Sequence, residues 1–421
     1  DLAKNGTFAI VQLPQGRKAI KTKWVLKIKL RADGKYDKHK ARLVAKGFLQ
    51  KIGIDYFATF SPMATMTATR LVLAIATHLG LDIHHSDIPL AFVRAATDAD
   101  LWIELPPGVE YVDRKTGLHT RILKLLKGLY GLKQSALNWS RLLHQFLIDL
   151  GYAQAAKDQC IYYIDSPTGF VIIATAVDDL IITGSDTDAI EKLRLALVEK
   201  WEITQWEKLE SYLGMHVEYD MKRGMLEMNM TKKIEDLLFK LHPTLGELIN
   251  GNAKMPMKST YSFIVEGKHK PTAVESYIKD NYPSIVGSLI FIMISVRPDI
   301  CTAVGCLSRA MHKPEAMQTA MAVDVLSYLK RTAKMKLVYR RSGNAIEELL
   351  HGLGKDNVQL CSLMARDPAE RMPLVSFSDA NFAPKTEPEY QSTTGYAMYA
   401  LCCLICYKSK VQGTTSQTTH E

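Results

Sequence analysis

The sequence predicts an α+β fold, and three patterns carry that expectation. Residues 22–30 alternate polar and apolar side chains, as a half-buried strand does. Residues 169–184 form a β-branched run broken by Asp178-Asp179, the pattern of a tight hairpin. Residues 67–79 and 137–150 instead carry apolar side chains at helical spacing.

Along the chain, residues 22–30, a turn at Asp33-Gly34 and residues 41–48 read as a lysine-rich hairpin. A helix over 67–79 sets Leu71, Leu73, Ala74 and Ile75 on or near one face. Residues 81–92 read as a strand entering a loop, and 137–150 as an amphipathic helix ended by Gly151. In 169–184, Phe170 through Val177 leads into Asp178-Asp179 and then Leu180-Ile181-Ile182-Thr183. A helix is expected over 186–200 and a strand over 212–219. Residues 221–345 read as mostly helical, with 323–334 amphipathic and basic at its end. Residues 342–372 shift to a Gly-, Glu- and Asp-containing segment, and strand character returns at 374–377, 395–401 and 404–408.

The chain has 421 residues, 47% hydrophobic and 23% charged, enough for about two to four domains with real cores. A disordered scaffold or a fibrous repeat is excluded. The longest apolar stretches, 285–296 and 396–407, are too short to span a bilayer. No basic-then-apolar leader opens the chain, which starts at Asp1, so a segment of a longer protein is expected. Seven scattered cysteines without paired CxxC motifs point to a reducing compartment and no structural zinc. Of the net charge of +9, residues 1–51 carry +11 and the rest of the chain −2. A basic lobe on a near-neutral body suits a polyanion handled at one end, with a solvated surface as the plain alternative.

The flanking runs place the Asp178-Asp179 carboxylates at the hairpin tip. Aspartate is also a common turn former, so a solvated turn must be weighed. Asp87 shifts that balance, because it sits in a second apolar segment, Ser86-Asp87-Ile88-Pro89-Leu90-Ala91-Phe92, that could lie beside the hairpin. Three carboxylates at adjacent strand ends suit two hard divalent cations, since Mg²⁺ binds through one or two carboxylates plus substrate phosphates. Two such ions about 4 Å apart activate a 3′-hydroxyl and stabilise a leaving pyrophosphate. The basic hairpin could supply Lys40 and Arg42 against the phosphoryl charge. A polymerase accounts for the carboxylates and the lysine-rich lobe together.

Many segments then fall in one order. Lys23-Trp24-Val25-Leu26-Lys27, Lys40-Ala41-Arg42-Leu43-Val44-Ala45-Lys46-Gly47-Phe48 and Asp55-Tyr56 through Phe60-Ser61-Pro62 come first. Leu105-Pro106-Pro107-Gly108, Leu129-Tyr130-Gly131-Leu132-Lys133-Gln134-Ser135 with Trp139, and Val177-Asp178-Asp179-Leu180 follow. Tyr212-Leu213-Gly214, Arg297-Pro298-Asp299-Ile300 and Tyr328-Leu329-Lys330 complete the series. Over nearly its whole length the chain resembles the reverse transcriptase of copia-type (Pseudoviridae) LTR retrotransposons. The tail resembles the start of an RNase H domain, through Ser378-Asp379-Ala380-Asn381-Phe382-Ala383, Thr393-Thr394-Gly395-Tyr396, Lys408-Ser409-Lys410 and Ser416 to Glu421.

The resemblance implies a right-hand polymerase, with reverse transcriptase fingers and palm over 1–220 and thumb and connection over 221–345. A linker or insertion over 346–372 and a partial RNase H-like domain over 373–421 would follow. Asp87, Asp178 and Asp179 would hold two Mg²⁺ ions, with Mn²⁺ as the alternative ion. Phe92, five residues after Asp87, would be the gate against a ribose 2′-hydroxyl; its plain alternative is a core aromatic. Gln134 would contact the incoming nucleotide or template, and Lys40 and Arg42 would meet the triphosphate. Asp379 and Glu421 would be the surviving RNase H ligands; two further acidic ligands should lie downstream and are absent, which puts RNase H activity from this chain in doubt.

The implied activity is RNA-directed DNA synthesis by two-metal nucleotidyl transfer. RNA template, DNA primer or RNA–DNA hybrid and dNTPs are the implied substrates, and protease, integrase and capsid parts of a parent polyprotein the implied partners. No membrane is involved; the expected place is the cytoplasm, within virus-like particles, with nuclear entry as an open alternative. Against the family pattern stand Ala176 for an aromatic, Val93-Arg94-Ala95 for a Leu-Asn-Gly turn, Pro89 for a residue such as Lys, and Thr419 for a Glu. They keep open a degenerate, catalytically weak or inactive copy that only binds RNA–DNA duplex, and a host-adopted structural protein. His84-His85 is set aside as a metal cluster because neighbours on a strand face opposite ways. Cys402, Cys403 and Cys406 read as buried hydrophobes and the 17 methionines as core filler.

Overall fold

The computed structural model describes residues 2–30, 36–112, 117, 119–203, 205–241, 249–258, 270–341, 374–381 and 393–411. The expected turn at Asp33-Gly34, the linker 346–372 and Glu421 lie outside them. Strands and helices mix as an α+β fold requires, in two compact units: residues 1–65 with 84–207, and 66–83 with 208–421.

The first unit holds two sheets. In one, the long hairpin Ile20–Leu30 and Tyr36–Ala45 is extended by Ala96–Glu104, Ile122–Lys127 and Phe8–Ala9. Sequence reading recognised only the hairpin. In Ala96–Glu104 the run Leu101-Trp102-Ile103 is buried on both faces, which hides the two-residue period. Ile122–Lys127 has a pattern that a helix turn would also satisfy. Ile20, Leu43, Leu101, Ile103, Leu123 and Leu125 fill this sheet's core.

In the other sheet, Ala153–Gln154, Ile161–Ser166, Gly169–Ala176, Asp179–Gly184 and Ile83–Asp87 follow one another. One of its faces is covered by the helices Ser135–Asp149 and Thr187–Trp201. Trp139, Leu143 and Leu147 recur every fourth residue on the first helix. Ile190, Leu193, Leu197 and Trp201 make the stripe on the second. They meet Val171, Ile173, Leu180 and Ile182, which alternate along the hairpin toward the same side. Each such aliphatic side chain contributes about 1.5–3 kcal/mol by leaving water. Asp186 starts the second helix, its carboxylate accepting from the Ala189 N–H at 2.9 Å.

In the second unit, the helix Met66–Leu79 buries Val72, Leu73, Ala74 and Ala76, packing on Leu337–Arg340 and Cys403–Val411. Its apolar face joins it to strands far along the chain. Residues 221–345 are less purely helical than expected. Met225–Asn229 pairs with Met215–Asp220 and with Leu337–Arg340, burying Leu226 and Met228 while Glu227 faces outward. Arg297 and Asp299 of the Arg-Pro-Asp-Ile motif pair at 2.7 Å. Arg297 also donates to the carbonyl and hydroxyl of Thr332, tying a 3₁₀ turn to the end of helix Ala316–Arg331. Leu374–Asn381, Thr393–Ala400 and Cys403–Val411 form an antiparallel sheet. No helix among the described residues is long and apolar enough to cross a membrane.

Candidate active site

Ala176 pairs with Asp179, which leaves Val177 and Asp178 as a two-residue turn. Val177 takes a left-handed φ of 61°, a costly state for a β-branched residue. Two hydrogen bonds hold it there. The Trp139 indole N–H donates to the Val177 carbonyl at 2.5 Å, and the Ile88 N–H donates to the Asp178 carbonyl at 2.9 Å. Trp139 is itself buried edge-on against Trp201. The helix stripe that makes the core therefore also fixes the acidic turn.

The Ile88 bond sets Asp87 beside that turn, because Ile83–Asp87 lies next to Asp179–Gly184 in the sheet. Strand alternation sends the two histidines to opposite sides, as expected. His84 stacks on Trp206 at 5.4 Å, while His85 Nε2 lies 3.1 Å from Asp179 Oδ1. Sequence reading missed His85 as a site residue; the signal was its two-residue spacing from Asp87 on one strand face. Burial pushes the Asp178 carboxyl above the usual range, and the charges of Asp179 and Asp87 push the same way. A backbone hydrogen bond and Lys40 oppose that shift. Such concentrated carboxylate charge fits hard divalent cations. Among the described residues no three His, Cys, Asp or Glu side chains close around one point. Phosphate and water oxygens would complete the shell, as is usual for Mg²⁺.

One cation of the basic hairpin, Lys40, acts on the acidic turn. Lys27 pairs with Lys40 and Val25 with Arg42, so these side chains share one face of the hairpin, with Trp24, Leu26 and Ile28 on the other. Lys40 acts on Asp178, and the Arg42 guanidinium lies 5.3 Å from the Tyr130 ring centroid. The segment 128–135 docks on the end of this hairpin through backbone as well as side chains. The Ala45 N–H donates to the Tyr130 carbonyl at 2.8 Å, and a Cβ on Gly131, at φ +88°, would meet the Ala45 oxygen at 2.2 Å.

Phe92 is half-buried on the 3₁₀ turn Ala91–Val93 and packs edge-to-face on Tyr130 at 5.2 Å. Gln134 is placed differently from the expectation of a nucleotide contact. It is 1% exposed, its Oε1 accepting from Gln50 Nε2 at 2.9 Å and its Nε2 donating to the Asp55 carbonyl at 2.7 Å. A buried amide needs internal partners, and the Gln134 side chain finds them within the chain. Arg94, at a position that departs from the family pattern, donates to the Trp201 carbonyl at the end of its helix and to Asn5 Oδ1. Its charge suits the helix terminus.

The RNase H residues are not brought together among the described residues. Asp379 is exposed on Leu374–Asn381, and Glu421 lies outside them. Of the three cysteines read as buried, Cys403 is buried, which pushes its thiol up to about 12, whereas Cys402 and Cys406 are half-buried.

Residues 5–244 match the family described as reverse transcriptase (RNA-dependent DNA polymerase). The chain is 31% identical over 428 residues to the retrovirus-related Pol polyprotein from transposon TNT 1-94 of Nicotiana tabacum, covering 100% of this chain and 29% of that protein. It is 29% identical over 410 residues to the retrovirus-related Pol polyprotein from transposon RE1 of Arabidopsis thaliana, covering 97% of this chain and 25% of that protein. The chain thus spans less than a third of the length of these curated relatives. It is also similar to a foamy viral protease-reverse transcriptase solved in complex with double-stranded DNA. That likeness has a TM-score of 0.44 and 13% identity, over 98% of this chain and 54% of the other.

Proposed function

This chain belongs to the reverse transcriptase (RNA-dependent DNA polymerase) family, and on that premise we propose that it is the DNA-synthesising segment of a copia-type retrotransposon polyprotein. What supports the reading is that Lys40 of the basic hairpin acts on Asp178 together with Asp179 and Asp87, and that Arg42 of the same strand lies over the Tyr130 ring, on which Asp178 and Asp87 also act.

In the proposed reaction the 3′-oxygen of a DNA primer attacks the α-phosphorus of a dNTP paired to an RNA template, and pyrophosphate leaves. Divalent cations, Mg²⁺ or Mn²⁺, held by Asp87, Asp178 and Asp179 would favour the ionised 3′-oxygen and neutralise the departing phosphates. Lys40 and Arg42 bind the triphosphate, and Phe92 stands against the sugar 2′ position. Gln134 acts as a brace, tying Gln50 and the Asp55 carbonyl to the start of helix Ser135–Asp149. Template and primer are gripped through phosphate and sugar, so binding weakens with salt and depends little on sequence.

The test is primer extension on poly(rA)–oligo(dT) with Mg²⁺, comparing the chain with Asp178→Asn. Extension by the parent that is lost in the variant is the expected result. A parent that binds hybrid without extending it would overturn the enzyme reading and leave a degenerate copy that only binds duplex.

A further inference from the structure

We propose that Tyr130 is a positioning residue that sets the sugar gate and the phosphate-binding cation together. One side chain then governs both dNTP affinity and the choice of deoxyribose over ribose. The inference rests on the proposed nucleotidyl-transfer site and adds a residue to it.

Three segments meet at this side chain. Its ring abuts Phe92 edge-to-face at 5.2 Å, and its other contact is Arg42, 5.3 Å from the ring centroid. Its backbone is pinned from the hairpin by the Ala45 N–H. The loop that carries it is closed by Ser135, whose hydroxyl accepts from the Leu129 N–H at 3.1 Å and donates to the Leu129 carbonyl at 2.9 Å. Next in sequence, the Gly128 N–H donates to the Ala95 carbonyl at 2.9 Å, fixing the same loop to the turn behind Phe92. Tyr130 is therefore the rigid member of the trio. Phe92 and Arg42 each reach toward the substrate from a different segment, and both lean on it.

An edge-to-face pair and a cation over a ring each contribute roughly 0.5–1.5 kcal/mol, so losing either moves an equilibrium by about two- to tenfold. The carboxylates Asp178 and Asp87 also act on Tyr130, which puts its hydroxyl at the same site. A large aliphatic in its place would fill volume yet hold neither neighbour in orientation.

The experiment compares the parent chain with Tyr130→Phe and Tyr130→Leu in steady-state extension of poly(rA)–oligo(dT), with dTTP and with UTP. For Tyr130→Leu the expected result is a KM for dTTP raised by about tenfold, a smaller fall in kcat, and a preference for dTTP over UTP reduced by about tenfold. Tyr130→Phe keeps the ring, so most of the sugar preference survives and the KM rises less. Thermal unfolding of Tyr130→Leu, Phe92→Leu and the double variant reads their coupling without any catalysis. The double variant should lose less stability than the two singles together. A site that does not polymerise and a Tyr130 that does not position thus give different results. Additive losses on unfolding, or a Tyr130→Leu enzyme with parental KM and sugar preference, would overturn the proposal.

Discussion

The two ends of one strand, Asp179–Gly184, are each flanked by an aspartate, and the surroundings treat them in opposite ways. At the turn, Asp178 is half-buried among like charges, and its carboxyl is raised above its ordinary range. At the far end, Asp186 accepts from Ser166 and Thr168 hydroxyls at 2.6 and 2.7 Å and from the Ala189 N–H, which pull its carboxyl down to about 2. At one end burial and neighbouring carboxylates disfavour the ionised form despite Lys40 and a backbone hydrogen bond, and at the other three donors stabilise it. Carboxylates perturbed by burial and like charge cluster at functional sites, whereas a carboxylate held by donors is the pattern of a helix cap.

The strongest way to sharpen that contrast is Asp178→Asn. It should abolish primer extension, by at least about 10³-fold, and at the same time raise the melting temperature of the metal-free protein at neutral pH. A variant that melts below the parent would break the comparison. Next comes Trp139→Phe, which keeps the buried ring but leaves the Val177 carbonyl without its donor. We expect a loss of about 1–3 kcal/mol in stability and about ten- to hundredfold in extension, read by denaturant unfolding and by rate.

Asp186→Ala is expected to lower the melting temperature by a few degrees while extension below that temperature stays near the parent's. The acid limbs should differ too. Asp186 has a depressed folded pKa, so its contribution is complete above the unfolded value of about 4 and is lost as the pH falls through about 2. Asp178 has a raised folded pKa, so its ionised form costs stability at neutral pH, and that cost disappears as the carboxyl takes up a proton. Removing Asp186 should flatten the loss of stability between about pH 4 and 2; a parental slope in the variant would contradict this assignment. The smallest effect is expected of His85→Leu. Its contact with Asp179 is partly exposed, so the Mg²⁺ concentration for half-maximal extension should move by roughly two- to fivefold.

Much of the site was legible in particular residues. The β-branched runs around Asp178-Asp179 require a tight turn there, and the structure sets it one residue earlier, at Val177-Asp178, with Asp179 already paired to Ala176. Lys40 and Arg42 sit two apart in the sequence, and the register sets them on one face of the hairpin. Gln134 was not legible in the same way. A glutamine in a loop has no periodicity to say whether its amide turns inward, and only the approach of Gln50 and Asp55 makes the buried position affordable. The strands Ile122–Lys127 and Met225–Asn229 were hidden because five or six residues are too few to separate a period of two from one of 3.6.

By itself the sequence determined which residues alternate, which recur every third or fourth position, and which motifs follow one another. Those are local properties of a chain, set by backbone geometry and side-chain type, and they suffice for the α+β class, the hairpin and the three aspartates. The tertiary structure alone decided that Ile88 and Trp139 clamp the turn, that Tyr130 stands between Phe92 and Arg42, and that helix Met66–Leu79 packs with strands beyond residue 336. Each of these depends on partners tens to hundreds of positions apart. Their meeting is chosen by the burial of apolar faces and the satisfaction of buried polar groups over whole units, which no local pattern encodes.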